Sequence, residues 1–394
     1  MDSIKRLLQI ELSKRQSAFL WGARKTGKST YLREHFPDAA YFDLLDSDLY
    51  LSYSKRPALF REHVLALPPS QLARPIIIDE AQKIPLLFDE VHHLIEAKKL
   101  SFILCGSSAR KLKRGQANLL GGRAWRYELY PLTSAEIVDF DLQRALNHGL
   151  IPSHYLSSNP KRSLRAYISD YLKEEIRDEG LTRNLPAFSR FLDAVGFCEG
   201  ELLNYSNIAR DCGVDSKTVK EYFQILVDTH IGYFLEPYTK TVGRQIVTAT
   251  PKFYLFDVGI AGQLAQRSIN ALSGSEAGRA FENFIHMELL AYRSYRNLDY
   301  TLNYWRTKTK LEVDFVVTAT KQRYAIEVKI AKRIDNSDLK GLIALSEETG
   351  LKKAVVICQE RQARAIEVSK EFTIMVLPWP LFLRELWEGH FFAE

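Results

Sequence analysis

The segment Phe19-Leu20-Trp21-Gly22-Ala23-Arg24-Lys25-Thr26-Gly27-Lys28-Ser29-Thr30 constrains this chain more than any other. An apolar run stops at a glycine, four residues intervene, and Gly27-Lys28-Ser29 opens the next stretch. The spacing G-x-x-x-x-G-K-[ST] predicts a buried strand, a curled loop and a helix N-terminus in immediate succession. Glycine tolerates the angles that turn successive backbone N–H groups inward, so Gly22 to Thr30 read as a phosphate cradle. The helix starting near Lys28 adds the positive end of its dipole. In this reading Lys28 reaches the β- and γ-phosphates of a nucleotide and Ser29 ligates Mg²⁺.

Up to about Thr133, apolar runs alternate with amphipathic stretches, the pattern of a parallel sheet with helices on both faces. Ala40–Asp43 reads as a strand, and Asp46 to Pro68 as helical with breaks. Ile76-Ile77-Ile78-Asp79-Glu80 is a β-branched run ending in two acids, the form of a central strand with reactive groups at its carboxyl edge. Asp79 would hold Mg²⁺ through water, and Glu80 is placed to polarise an attacking water as general base. The next strand is Ser101–Ala109. Ser107 or Ser108 at its end reads as a group that senses the γ-phosphate or orients the water, or else as a helix cap. Arg123 follows Gly121-Gly122 and so sits on a loop. There it reads as a finger for a neighbouring subunit's γ-phosphate or as a solvated surface arginine.

A chain of 394 residues exceeds one ordinary core, so two to four domains are expected. No apolar stretch approaches a membrane span, and the first residues lack the apolar core of a signal peptide. Cys105, Cys198, Cys212 and Cys358 are far apart, which argues against a disulfide framework or zinc site and fits a cytoplasmic setting. A net charge of +6 is compatible with nucleic acid without being diagnostic of it.

The succession of Gly22–Ser29, Ile76–Glu80, Leu104–Ala109 and Gly121–Arg123 with Tyr130-Pro131-Leu132 resembles the bacterial and archaeal AAA+ ATPases that carry an extra C-terminal domain. The resemblance covers almost the whole chain. It implies an α/β fold with a P-loop AAA+ parallel-sheet domain over residues 1–135 and a helical lid or linker over 136–198. A winged-helix domain over 199–268 and a C-terminal restriction-endonuclease-like α/β domain over 269–394 would follow. It also implies ATP and Mg²⁺ as cofactors and a homo-oligomeric ring or partial ring if Arg123 acts in trans.

In the middle part, Tyr167 to Glu179 reads as a solvated amphipathic helix. Two short helices then flank Gly213, the second capped by Asp215 or Ser216 and carrying Val219, Tyr222, Phe223 and Leu226 on one side. Ile231–Pro237 and Gln245–Tyr254 would form the strands of a wing. If DNA is bound, Ser216, Lys217, Thr218 and Lys220 face the groove. The alternative is a module that only packs against partners or closes a lid.

Downstream, Gly274 to Tyr292 reads as a helix carrying Glu282, and Thr301–Trp305, Leu311–Val317 and Tyr324–Ile330 read as strands. Glu282, Asp314 and Glu327-x-Lys329 resemble the PD-(D/E)xK nuclease superfamily, although no proline precedes Asp314. Glu327 and Lys329 are two apart and so share one face of a strand. The resemblance implies Mg²⁺ on Asp314 and Glu327, with Glu282 as a third ligand and Lys329 positioning water or stabilising phosphate charge. Arg306, Lys308, Lys310, Lys332 and Arg333 flank the set. Trp379 and Trp387 are expected in the core. The expected function is an ATPase that couples hydrolysis to binding, remodelling or processing of DNA, branched or recombination intermediates among the possible substrates. The competing expectation is an ATP-gated switch whose nuclease-like domain binds without cutting.

Overall fold

The computed structural model describes residues 4–108, 120–172, 184–239 and 250–392. The chain divides into two compact units, Met1–Pro131 with Ile225–Ile231, and Leu132–Gln224 with Gly232–Glu394.

The first unit is built on a five-stranded sheet in the order β2-β3-β4-β1-β5, all pairs parallel. The strands are β1 (Ser17–Trp21), β2 (Tyr41–Asp43), β3 (Ile76–Asp79), β4 (Phe102–Gly106) and β5 (Ala124–Glu128). β1, β3 and β4 are buried along their whole length, which is why they read as unbroken apolar runs rather than alternating ones. Helices Lys28–His35, Ser47–Lys55, Ala58–Leu65 and Leu87–Lys98 join them. The break expected between Asp46 and Pro68 falls at Arg56-Pro57, where proline cannot continue a helix. Asp46 caps the Ser47–Lys55 helix by accepting from the N–H groups of Asp48 and Leu49 at 2.8 and 3.2 Å. Phe19, Phe60, Phe88, Ile76, Ile78 and Phe102 centre the core between sheet and helices. Because β4 lies between β1 and β3, the loops after all three strands open at one carboxyl edge.

The second unit contains a mixed eight-stranded sheet in the order β12-β13-β11-β10-β9-β8-β6-β7. Its strands are β6 (Gly232–Pro237), β7 (Lys252–Leu255), β8 (Tyr300–Arg306), β9 (Glu312–Ala319), β10 (Gln322–Val328), β11 (Lys353–Cys358), β12 (Arg364–Ser369) and β13 (Phe372–Pro378). β8-β9-β10 form an antiparallel meander, and β11 and β13 add in parallel. β6 and β7 are the antiparallel pair expected as the wing, and β6 also pairs with β8 through Glu236–Asn303 and Pro237–Tyr304. The sheet thus takes strands from both sides of residue 268, the expected boundary. Helices Gly274–Tyr295, Lys340–Glu348 and Trp379–Glu388 belong to the same unit. Trp387 is buried as expected, while Trp379 is only half-buried. Ala109, residues 173–179 of the amphipathic helix and residues 245–249 of the second wing strand lie outside the described residues.

Candidate functional site

β1 delivers the phosphate loop. Gly22 has φ +150° and its backbone lies against the Leu129 carbonyl, so a side chain there would collide with main chain. Lys25 has φ +62°, and Gly27 caps the following helix with φ +96°. These left-handed residues produce the curl that turns N–H groups inward. Thr26 Oγ1 donates to the Ala23 carbonyl at 2.8 Å, closing the loop on itself. Lys28 Nζ donates to the carbonyls of Gly22 and Ala23 at 2.8 and 2.9 Å. Arg6, which carries no motif, donates to the Thr26 and Tyr130 carbonyls at 2.7 Å each and ties the N-terminal segment to the back of the loop.

Asp79 closes β3 and is buried. Burial pushes its carboxyl up, but hydrogen bonds from Ser29, Tyr41 and Cys105 and the nearby Lys28 charge outweigh that and hold it below the usual carboxylate range. Tyr41 donates to Asp79 Oδ2 at 2.5 Å. The ionised Asp79 and the Ser29 hydroxyl it accepts from are two oxygens in one place. Mg²⁺ takes most of its ligands from water and substrate phosphates, so this donor pair fits it.

Glu80 adopts φ +56° and ψ +38°. That conformation costs a non-glycine residue about 1–2 kcal/mol and recurs where a functional group must be aimed. Its N–H donates to Asp79 Oδ1 at 3.0 Å. Gln82 Nε2 donates to Glu80 Oε2 at 2.5 Å and lies 3.4 Å from Ser107 Oγ. Arg24 Nε lies 3.4 Å from the same hydroxyl. The loop, the end of β4 and Glu80 are therefore linked through Ser107 and Gln82. Ser107 and Ser108 are both buried. Sequence reasoning missed Gln82; its place two residues after Glu80 was the available signal.

Arg123 is not near the loop. It precedes β5 next to Gln16 and Ser17, at the amino edge of the sheet opposite the P-loop, and its guanidinium pairs with Glu96.

Helices Tyr205–Cys212 and Ser216–Asp228 flank Gly213, whose φ is +67°. Asp215 is the cap, accepting from the N–H groups of Lys217 and Thr218 at 2.8 and 2.9 Å and from the Thr218 hydroxyl at 2.9 Å. Lys217 and Lys220 are exposed and Ser216 and Thr218 half-buried. The Thr218 hydroxyl is thus engaged within the chain.

The expected nuclease residues do gather. Glu282 comes from the Gly274–Tyr295 helix, Asp314 from β9 and Glu327 from β10. The register pairs Ile326 with Phe315, which brings Glu327 across from Asp314. Asp314 Oδ2 accepts from the Val328 N–H at 2.8 Å, and Lys329 Nζ lies 2.5 Å from Glu327 Oε1. Burial raises both carboxyls above the usual range, and neighbouring negative charge (Glu282 for Asp314, Asp314 for Glu327) raises them further. Into this cluster β7 inserts Lys252, its Nζ 3.1 Å from Glu282 Oε1, 2.5 Å from Glu312 Oε1 and 4.0 Å from Asp314 Oδ1. Tyr254, two residues on, donates to Glu282 Oε1 at 2.5 Å.

This arrangement does not fit a divalent metal. A divalent ion would need carboxylate oxygens that point at one shared, open position, with water completing its shell. Here the carboxylates are turned onto an ammonium, a phenol and a backbone N–H. Glu327 Oε2 is the one carboxylate oxygen of the cluster that is buried without a hydrogen-bond partner. Among the described residues no three His, Cys, Asp or Glu side chains are grouped to hold a metal. Of the residues expected to hold a metal, Glu282 and Asp314 face the Lys252 ammonium, and Glu327 faces Lys329.

With both sites in view, residues 14–138 match the family described as an AAA domain. Residues 139–271 and 277–382 match two families described as domains of unknown function, DUF8612 and DUF4143. An uncharacterised protein of Mycobacterium tuberculosis (strain H37Rv) is 26% identical over 320 residues, covering 79% of this chain and 69% of that protein. One from Haemophilus influenzae is 22% identical over 343 residues, covering 78% and 80%. Similar solved structures include the replication initiator DnaA bound to AMPPCP and single-stranded DNA, at 13% identity and TM-score 0.28, covering 55% of this chain and 83% of that one. The Aeropyrum pernix ORC1 protein in complex with DNA is similar at 15% identity and TM-score 0.27, covering 64% and 86%. Among the described residues no helix is long and apolar enough to cross a membrane.

Proposed function

We propose that this chain hydrolyses ATP to ADP and phosphate and couples the cycle to binding or remodelling DNA. The observation that carries the first half is the convergence at one sheet edge of the phosphate loop, the Ser29–Asp79 pair and a Glu80 carboxylate fixed by its own backbone and by Gln82. The loop N–H groups and Lys28 hold the phosphates. Bound Mg²⁺ would neutralise developing charge on the β- and γ-oxygens. Glu80 accepts a proton from the attacking water as its oxygen bonds to the γ-phosphorus and the bond to the β–γ bridging oxygen breaks. Ser107 is placed to report the occupancy of the loop to Gln82. A finger role for Arg123 fits only the site of a neighbouring subunit, which ties it to assembly into a homo-oligomer.

The DNA half is supported by the two helices around Gly213, with Lys217 and Lys220 exposed at the start of the second. The exposed Arg306, Lys308, Lys310, Lys332 and Arg333 add positive charge on the segments that flank the carboxylate cluster. The position of Lys252 favours a C-terminal domain that binds rather than cuts. Hydrolysis rates with and without single-stranded, duplex and four-way-junction DNA test the proposal. A rate raised by DNA is expected, and a protein that hydrolyses ATP but neither binds DNA nor responds to it would remove the coupling.

A further inference from the structure

Lys252 lies in a strand that reads as one side of an exposed wing, yet its side chain is only 3% exposed. Its main chain is fixed opposite Leu235 on β6, so the side chain is delivered from a rigid position. A lysine is almost never buried without partners that balance its charge. An ammonium has three N–H donors. Here it meets Glu312 Oε1 at 2.5 Å and Glu282 Oε1 at 3.1 Å, with Asp314 Oδ1 at 4.0 Å and the Tyr304 ring 5.7 Å away. We propose that the Lys252 ammonium is the resident cation of the C-terminal carboxylate cluster, so that this domain binds no divalent metal there and does not cleave DNA.

Charge balance supports this assignment. Four carboxyls, Glu282, Glu312, Asp314 and Glu327, face three cations of the chain. Lys252 bridges Glu282 and Glu312, Arg306 Nη1 lies 2.8 Å from Glu312 Oε2, and Lys329 Nζ lies 2.5 Å from Glu327 Oε1. At most one negative charge is left over, too little to draw a divalent ion out of water. Geometry supports it as well. Positions 252 and 254 share one face of β7, and both Lys252 and Tyr254 contact Glu282 Oε1. The strand therefore occupies the ground a metal would share with that carboxylate. A metal could enter only by expelling a buried like charge. The same contacts join β7 to the Gly274–Tyr295 helix and to β9, giving the cluster a role in holding this unit together.

The test uses the full chain without nucleotide and Mn²⁺ alone as probe, read by electron paramagnetic resonance and by titration calorimetry. The parent protein is expected to show no Mn²⁺ uptake that depends on Asp314, and to leave duplex and junction DNA uncut in Mg²⁺ or Mn²⁺. Lys252→Met keeps the apolar stem and removes the charge. It is expected to gain one Mn²⁺ site at least tenfold tighter than any in the parent, and Asp314→Asn in that background should remove it. Asp314-dependent Mn²⁺ binding or DNA cleavage by the parent protein overturns the assignment, as does a folded Lys252→Met that gains no site. If Lys252→Met does not fold, the comparison of the parent with Asp314→Asn decides alone. None of these readouts passes through ATP hydrolysis, so their failure would leave the ATPase proposal standing.

Discussion

Replacing Gln82 with alanine should lower ATP turnover by roughly 10- to 100-fold while leaving nucleotide affinity unchanged. Gln82 is 1% exposed, and its amide lies 2.5 Å from Glu80 Oε2. A hydrogen bond to a charged group contributes about 1.5–3 kcal/mol. At about 1.4 kcal/mol per factor of ten, its loss corresponds to roughly one to two decades if the bond aims Glu80 in the transition state. A general base supplies about 10²–10⁴ in rate, so the defect should stay milder than that of Glu80→Gln. Affinity should hold because the phosphates are gripped by the loop N–H groups and Lys28, which Gln82 does not touch. Phosphate release gives kcat and KM, titration with a fluorescent ATP analogue gives Kd, and circular dichroism checks the fold. Gly106→Ala approaches the same amide from the other side. A Cβ there would run into Gln82 Oε1 and the Trp21 ring, so turnover should fall in that variant too. Turnover within twofold of the parent in Gln82→Ala, or a change confined to Kd, would refute the positioning argument.

Lys28→Ala should lose nucleotide binding in the same titration, because its buried ammonium is the charge proposed to meet the phosphates. Glu80→Gln should bind ATP normally and release no phosphate above background; normal turnover would remove it as the base. Glu288, buried under hydrogen bonds from Ser134 and Trp387, is pushed by burial from 4.5 up to about 7. The folded state therefore holds this proton where the unfolded chain has released it, and stability from this group falls as pH rises from about 4.5 to 7. Urea unfolding should show the parent losing about 3 kcal/mol more than Glu288→Gln across that window, and parallel curves would contradict the shift. Lys217→Ala and Lys220→Ala should each weaken DNA binding and reduce the slope of log K against log salt by about 0.9, whereas unchanged slopes would remove that helix from the interface.

The phosphate loop was legible because its geometry is local. Gly22 and Gly27 mark the bends, and the apolar run before them and the helix after them fix its context. Ile76–Glu80 was legible because a strand buried on both faces has no alternation. Sheet order is a tertiary fact, so nothing in the sequence put β4 between β1 and β3. The partners that tune the site come from distant positions: Arg6 on the loop, and Tyr41 and Cys105 on Asp79. Gln82 was close in sequence but carries no motif of its own. Lys252 was the hardest to read. A lysine in a short strand signals exposure, and only the convergence of β7, β9 and the Gly274–Tyr295 helix shows that it is buried among acids. The same convergence explains why the wing strands and the C-terminal sheet, read as separate domains, share one sheet. Arg123 was assigned from its loop position alone, and its pairing with Glu96 at the far edge of the sheet also suits the surface arginine that the sequence allowed.

The most direct measurement is phosphate release from ATP by the parent chain and by Glu80→Gln, each with and without duplex DNA at fixed salt. Hydrolysis by the parent, a higher rate when DNA is present, and no hydrolysis in Glu80→Gln under either condition are expected. A parent protein that binds ATP yet releases no phosphate with or without DNA would contradict the proposed function.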